Sequence, residues 1–345
     1  MNNKMKKHLF LLLILPSVLI AQENVKFSET INISDLEKHL TILVSDSLEG
    51  RETGKKGQKM AADYIMNHFI NIGVPPYKGN KYYQKFKVKS GRHVCKCEDC
   101  DNGFIKELFG KKKMIKGENV LAFIEGTDLK EEIVVITAHY DHLGIHENIV
   151  FNGADDDGSG TVAAMEIAEA FMIAKKEGNG PRRSILVMTV SGEEKGLLGS
   201  KYYTDNPIYP LENTVANLNI DMIGRVDDWH ENGDYVYLIG SDMLSMDLHN
   251  LSEEVNKKYI GTNLDYRFNS EDDPNRYYYR SDHYNFAKNN IPVIFYFNGV
   301  HEDYHKKTDT VEKIDFEKLQ RISRLIFLTA WEIANRDERI VVDKK

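Results

Sequence analysis

Along most of this chain, short apolar runs alternate with stretches whose apolar residues recur at helical spacing. That alternation constrains the architecture more than any other feature. Strands separated by helices assemble as an α/β structure, here a mixed, mostly parallel sheet flanked by helices. Residues 120–124, 133–137, 184–190, 215–220, 235–239 and 293–297 read as strands, and 82–88 alternates like an edge strand. Residues 57–72, 160–174, 196–204, 244–259 and 316–335 read as helices. In the first of these Met60, Ala61, Tyr64, Ile65, Phe69 and Ile72 share a face, and Gly73 closes the helix. One segment, 90–116, fits neither pattern and reads as an irregular insertion between strands.

The N-terminus has the layout of a secretory signal peptide. Lys4, Lys6 and Lys7 precede an apolar run from Leu9 to Leu15, and Ala21 offers a small residue before cleavage. The run is too short to span a bilayer. The expected organisation is therefore a signal peptide at 1–21 and one catalytic domain at 22–345, in an exported, periplasmic or extracellular protein with no stable membrane insertion after cleavage. Roughly 320 residues remain, enough for a full core without disulfide staples. The net charge is −8, which argues against nucleic acid as a partner and suits a chain whose carboxylates hold cations. Cys95, Cys97 and Cys100 are the only cysteines, and all lie in the insertion. With His93 they read either as a structural metal site or as a local disulfide beside one free thiol.

Polar clusters sit where the expected strands end or the next helix opens. After 133–137 comes Ala138-His139-Tyr140-Asp141-His142-Leu143-Gly144. Asn152-Gly153-Ala154-Asp155-Asp156-Asp157-Gly158-Ser159-Gly160 leads into a helix. Ser191-Gly192-Glu193-Glu194-Lys195-Gly196 follows 184–190, and Asp221-Met222 follows 215–220. Beyond 293–297 come His301-Glu302-Asp303-Tyr304-His305 and Thr308-Asp309-Thr310. In open α/β sheets ligands bind beyond the carboxyl ends of the strands, so these clusters should converge. They offer imidazole and carboxylate donors without thiolate, a set suited to zinc. No His-Glu-x-x-His helix, Gly-x-Ser-x-Gly elbow or phosphate-binding Gly-Lys-Ser/Thr loop competes with them.

The order of these motifs, from about Leu43 to Asn335, resembles the M28 metallopeptidases, the co-catalytic zinc aminopeptidases of the Aeromonas and Streptomyces type. The opening Ser45-Asp46-Ser47-Leu48-Glu49-Gly50-Arg51-Glu52-Thr53-Gly54 is similar to secreted bacterial members. The resemblance implies two Zn2+ ions. His139 and Asp221 would ligate one, Glu194 and His305 the other, and Asp156 would bridge both. It further implies that Glu193 is the general base and that Asp141 accepts the second ring N–H of His139 and fixes its tautomer. The peptide after the bridging Asp is often cis in the family, which points to Asp156–Asp157. Lys307 stands where the family often has Pro. His305, by its spacing to Asp309-Thr310, is preferred over His301 as the ligand, with His301 lining the cleft.

The implied activity is hydrolysis of N-terminal residues from peptide substrates. Two metal ions lower the pKa of a shared water and polarise the scissile carbonyl, and a carboxylate moves the proton. A glutaminyl cyclase using a single zinc, a carboxypeptidase or dipeptidase, and a binding module on an inactive peptidase scaffold are the competing readings. Ser281-Asp282-His283 is similar to a Ser-Asp-His that the family carries near its substrate pocket, but capping of the following helix by Ser281 or Asp282 is the preferred reading, with Tyr277, Tyr278 and Tyr279 as a pocket wall or ordinary loop packing.

Overall fold

The computed structural model describes residues 24–89, 114–270 and 272–344. The expected signal peptide, His93 and the three cysteines lie outside these residues.

The strands are β1 (Tyr83–Lys89), β2 (Met114–Ile124), β3 (Leu129–His139), β4 (Gly144–His146), β5 (Ile149–Phe151), β6 (Arg183–Val190), β7 (Thr214–Ile220), β8 (Tyr235–Ile239), β9 (Asn263–Asp265) and β10 (Val293–Phe297). Eight of them form one sheet in the order β1-β2-β6-β3-β7-β10-β8-β9, while β4 and β5 form a separate hairpin. The centre, β6-β3-β7-β10, is parallel. β1 and β2 join it antiparallel at one side, and β8 pairs antiparallel with β10 at the other. The sheet is thus mixed with a parallel heart, as the alternation of elements requires. β2 begins at Met114, which pairs with Lys89, so Met114, Ile115 and Lys116 belong to the sheet and not to the expected insertion.

Burial explains the pattern of the central strands. β6 and β7 are buried along their whole length, which is why they read as continuous apolar or small-polar runs. In β3, Val134, Ile136 and Ala138 face one core while Ile133 and Val135 face another, the period of two that a strand imposes. The first core is covered by α1 (Ile33–Leu43), α2 (Lys56–Asn71), α3 (Gly160–Lys176), α5 (Met246–Val255) and α7 (Phe316–Asn335). The second lies under α4 (Leu198–Asp205) and α6 (His283–Ala287). Local chemistry sets several ends. The Asn32 and Asp315 side chains accept hydrogen bonds from Asp35 N and Lys318 N at the starts of α1 and α7. Gly73 takes φ 89° just beyond α2.

Because β3, β6, β7 and β10 run parallel, their carboxyl ends share one edge. His139 closes β3, Ser191–Glu194 follow β6, Asp221 follows β7, and residues 298–305 follow β10. No helix among the described residues is long and apolar enough to cross a membrane.

Candidate metal centre

The three aspartates ahead of α3 do three different jobs. The Asp157 carboxylate accepts from His139 N (3.0 Å), Met222 N (3.1 Å) and Gly160 N (2.9 Å), tying the ends of β3 and β7 to the start of α3. Asp155 accepts from Gly224 N (2.7 Å) and Asn298 Nδ2 (3.2 Å), and His301 Nε2 stands 3.2 Å away. Asp309 in turn accepts from the backbone N–H groups of Asp155 and Asp156 at 3.0 and 3.1 Å. The carboxylate of Asp156 is left for the site, and the Asp156–Asp157 peptide is cis. Gly153 takes φ 56° before the triplet, and a Cβ there would lie 2.5 Å from His142 Cγ. Only glycine allows both the turn and the approach of that ring.

The two oxygens of Asp156 face different donor sets. Oδ1 lies 3.3 Å from His139 Nε2, which is itself 3.5 Å from Asp221 Oδ1. Oδ2 lies 3.0 Å from His305 Nε2 and 3.8 Å from His142 Nδ1. Glu194 completes the second set, with Oε1 2.9 Å from His142 Nδ1 and Oε2 3.4 Å from His305 Nε2. In each of the triads His139–Asp156–Asp221 and His142–Asp156–Glu194, the donor atoms lie within 4.8 Å of one another. All five expected ligands therefore meet at one edge of the sheet. His142 joins them although nothing in the motif pattern assigns it a role. Its place three residues after His139, across a tight turn, is the signal that could have raised it. His301 is turned away onto Asp155 and does not line the cleft.

These donors fit a divalent cation. His139 Nε2, both His142 nitrogens, Asp156 Oδ2 and Glu194 Oε1 are buried without a well-formed hydrogen bond, a costly arrangement unless an ion satisfies them. The His139 tautomer suits this. Its Nδ1–H donates to the Asp141 carbonyl oxygen at 3.1 Å, which leaves the Nε2 lone pair for the site. This corrects the expected partner, for the Asp141 carboxylate stands 3.9 Å away. That carboxylate instead accepts from the Thr53 hydroxyl (2.6 Å) and from Glu193 N (3.3 Å), and so positions the backbone of Glu193.

Asp221 is held from behind by a relay of buried hydrogen bonds. Asn217 Nδ2 donates to Thr137 Oγ1 (3.0 Å), whose hydroxyl donates to Asn219 Oδ1 (2.6 Å). Asn219 Nδ2 donates to Ser281 Oγ (2.8 Å), and the Ser281 hydroxyl donates to Asp221 Oδ2 (2.6 Å). Ser281 therefore serves the site and does not cap α6. Asp282 makes no side-chain cap either and accepts instead from the Ser200 hydroxyl. His305 and Met222 take positive φ of 58°, turning the chain at the site.

Electrostatics follow burial and crowding. Burial favours the neutral form of Asp156, but the His139, His305 and His142 rings that face it hold it well below the usual carboxylate range. Burial opposes charge on His139, yet Asp221 and Glu193 outweigh it and raise the ring well above its usual value. The negative field that favours a proton on this ring also favours a cation beside it. Glu193 is pushed well above the usual range by burial and by Glu194 and Asp221, against the pull of His139. Glu193 also lines the cleft together with His139, Asp156, Asp221 and His305. The cleft walls are Tyr277, Phe295, Phe297, Val300 and Tyr304, with Arg280 among them.

Residues 119–330 match the model of peptidase family M28. The chain belongs to that family. A probable leucine aminopeptidase of Trichophyton verrucosum is 28% identical over 288 residues, covering 80% of this chain and 74% of that protein. The chain spans 25% and 51% of the length of two probable zinc metalloproteases, from Leptosphaeria maculans and Pyrenophora tritici-repentis. Among solved structures, the LapA aminopeptidase of Legionella pneumophila superposes with a TM-score of 0.69 at 24% identity, over 92% of this chain and 76% of that one. A glutaminyl cyclase of Porphyromonas gingivalis superposes at 0.62 and 18% identity, over 86% and 97%. The last two likenesses show a shared fold.

Proposed function

We propose that this M28 protein is a two-zinc aminopeptidase, exported from the cell, that removes apolar N-terminal residues from peptides. The observation that carries the reading is the division of Asp156, one oxygen toward His139 and Asp221 and the other toward His305, His142 and Glu194. A single-zinc cyclase needs no carboxylate shared between two complete donor sets. In this assignment His139 and Asp221 hold one ion and Glu194 and His305 the other, with Asp156 common to both. His142 stands as an additional donor or orienting ring at the second. Zinc bound there supplies Lewis acidity toward the scissile carbonyl and an acidified water.

The remaining chemistry belongs to side chains of this chain. Glu193 lies outside both triads and faces the cleft. Its raised proton affinity suits a base that takes a proton from the attacking water and returns it to the leaving nitrogen. Asp141 and Thr53 hold its backbone in register. The Phe295, Phe297 and Val300 walls favour an apolar side chain on the residue being removed. Export rests on the Lys-rich start, the apolar run and Ala21, and an intact Met1 on protein from the native host would contradict it.

A substrate panel tests the reaction. Peptides with a free N-terminus should lose that residue, and N-acetylated copies should resist. Release of C-terminal residues from the acetylated copies would instead show a carboxypeptidase, and pyroglutamate formation from glutaminyl peptides would show a cyclase.

A further inference from the structure

A second cluster of donors lies away from this edge, between helices. α1, α2 and α3 pack on the same face of the sheet and bring together His39, His68 and Glu166, whose donor atoms lie within 4.8 Å of one another. Glu166 is only 3% exposed, and its Oε1 has no hydrogen-bond partner. It faces His39 Nε2 at 3.5 Å. The other nitrogen of His39, Nδ1, is engaged by the Tyr64 hydroxyl at 2.7 Å, which fixes the ring. His68 stands edge-on to His39, with ring centroids 4.7 Å apart, and its Nε2 lies 3.8 Å from Glu169 Oε2 and 3.4 Å from the Met165 carbonyl oxygen.

A charged carboxylate in this position is costly, because its neighbours Val162, Ala163, Ile167 and Ala170 are all core, and burial with Glu169 nearby pushes Glu166 up to about 8, so that a cation must displace its proton. Nothing in the fold of α3 requires a glutamate there. Burial also keeps both rings neutral, lowering His68 to about 4; each then carries one lone pair, on Nε2 of His39 when its Nδ1–H donates to the Tyr64 oxygen and on Nδ1 of His68 while its Nε2–H faces the Met165 carbonyl. Beside the cluster opens a groove lined by Asp35, Lys38, Tyr64, Glu169 and Lys176, which gives an ion an entry path and water a place to complete a coordination shell. Two imidazoles and a carboxylate suit zinc. Ligands bound at about 2.0–2.2 Å around a tetrahedral ion stand roughly 3.3–3.6 Å apart, a range that includes the 3.5 Å between His39 Nε2 and Glu166 Oε1.

We propose that His39, His68 and Glu166 form a separate zinc site, with Glu169 in reach as a further donor, that clamps α1 and α2 to α3. Glu166 lies six residues into α3 from Gly160, about 9 Å along the axis, so the clamp steadies the helix whose start carries the aspartate triplet.

The test compares wild type with Glu166→Gln, which keeps size while removing the anionic donor, and with His39→Gln. Each protein is stripped of metal, reloaded with zinc alone and dialysed. Bound zinc is then counted, and thermal unfolding is followed with and without zinc. The variants should each bind one zinc fewer than wild type, show a smaller zinc-dependent rise in Tm, and keep the fully loaded peptidase rate. Equal zinc counts and equal zinc-dependent shifts in wild type and both variants would overturn the proposal and leave His39 and Glu166 sharing only a proton. If Glu166→Gln does not fold, the His39→Gln comparison alone decides in the same way.

Discussion

The aspartate triplet shows how much a single residue position decides. Asp155, Asp156 and Asp157 are adjacent and chemically alike, yet the first holds the loops after β7 and β10, the third holds two strand ends and a helix start, and only the middle one faces the donors. The motif order picked out the five expected ligands that the fold brings together, because each follows a strand or opens the next helix, where the fold collects polar groups. It did not make His142 legible, since a histidine three residues beyond a ligand reads as well for a loop as for a site. Nor could it separate the Asp141 carbonyl from its carboxylate as partner of His139, because that choice depends on a local turn. Glu193 and Glu194 are the sharpest case of neighbours with different roles. Glu193→Gln should retain zinc and fold while kcat drops about 10²–10⁴-fold, the usual cost of losing a general base. Glu194→Gln should lose zinc, with activity partly restored by excess metal. Metal analysis beside steady-state rates checks both, and a Glu193→Gln enzyme of near-normal turnover would contradict the assignment.

At the scale of elements, most of the long periodic segments were readable and the short ones were not, although α1 (Ile33–Leu43) is long enough to show a period and is absent from the expected helices. α7 spans Phe316–Asn335, and β8 and β10 span Tyr235–Ile239 and Val293–Phe297, as their patterns indicate. The β4–β5 hairpin and β9 are built from three-residue strands, too short to show a period. Capping was preferred over a site role for Ser281 for a related reason. A Ser-Asp pair before a helix is a local capping signal, while its real partner, Asp221, comes from another strand. α6 also buries His283, fully enclosed and stacked on Phe295 with centroids 4.7 Å apart. Burial lowers this ring to about 3, with a Tyr278 backbone group opposing. The folded pKa is thus below the unfolded one, so the unfolded chain takes up the proton first as pH falls. Its stability contribution is intact above about 6.5 and is lost progressively toward pH 3, amounting to about 2 kcal/mol at pH 5. Tm measured at pH 7 and pH 5 should therefore fall further in wild type than in His283→Leu. Parallel falls in the two proteins would show that this ring carries none of the acid sensitivity.

Over the whole molecule, the part ahead of the family match is built into the site. Arg51 is fully buried, donating to the carbonyl oxygens of Tyr140 (2.7 Å), Leu43 (3.2 Å) and Gly153 (3.0 Å), and so it braces both loops that carry donors. An arginine in a Gly-rich stretch gives no hint of such burial in sequence, because the carbonyls it serves come from segments distant along the chain. The parallel heart of the sheet then gathers the edge groups, and Asp156 joins them into one centre. The most direct measurement is zinc content and aminopeptidase rate for wild type, His305→Ala and Asp156→Ala, each loaded and dialysed identically. Asp156→Ala is expected to lose two zinc equivalents relative to wild type together with its activity, and His305→Ala to lose at most one. Loss of a single equivalent from Asp156→Ala, or an active enzyme without it, would contradict a carboxylate shared between two ions.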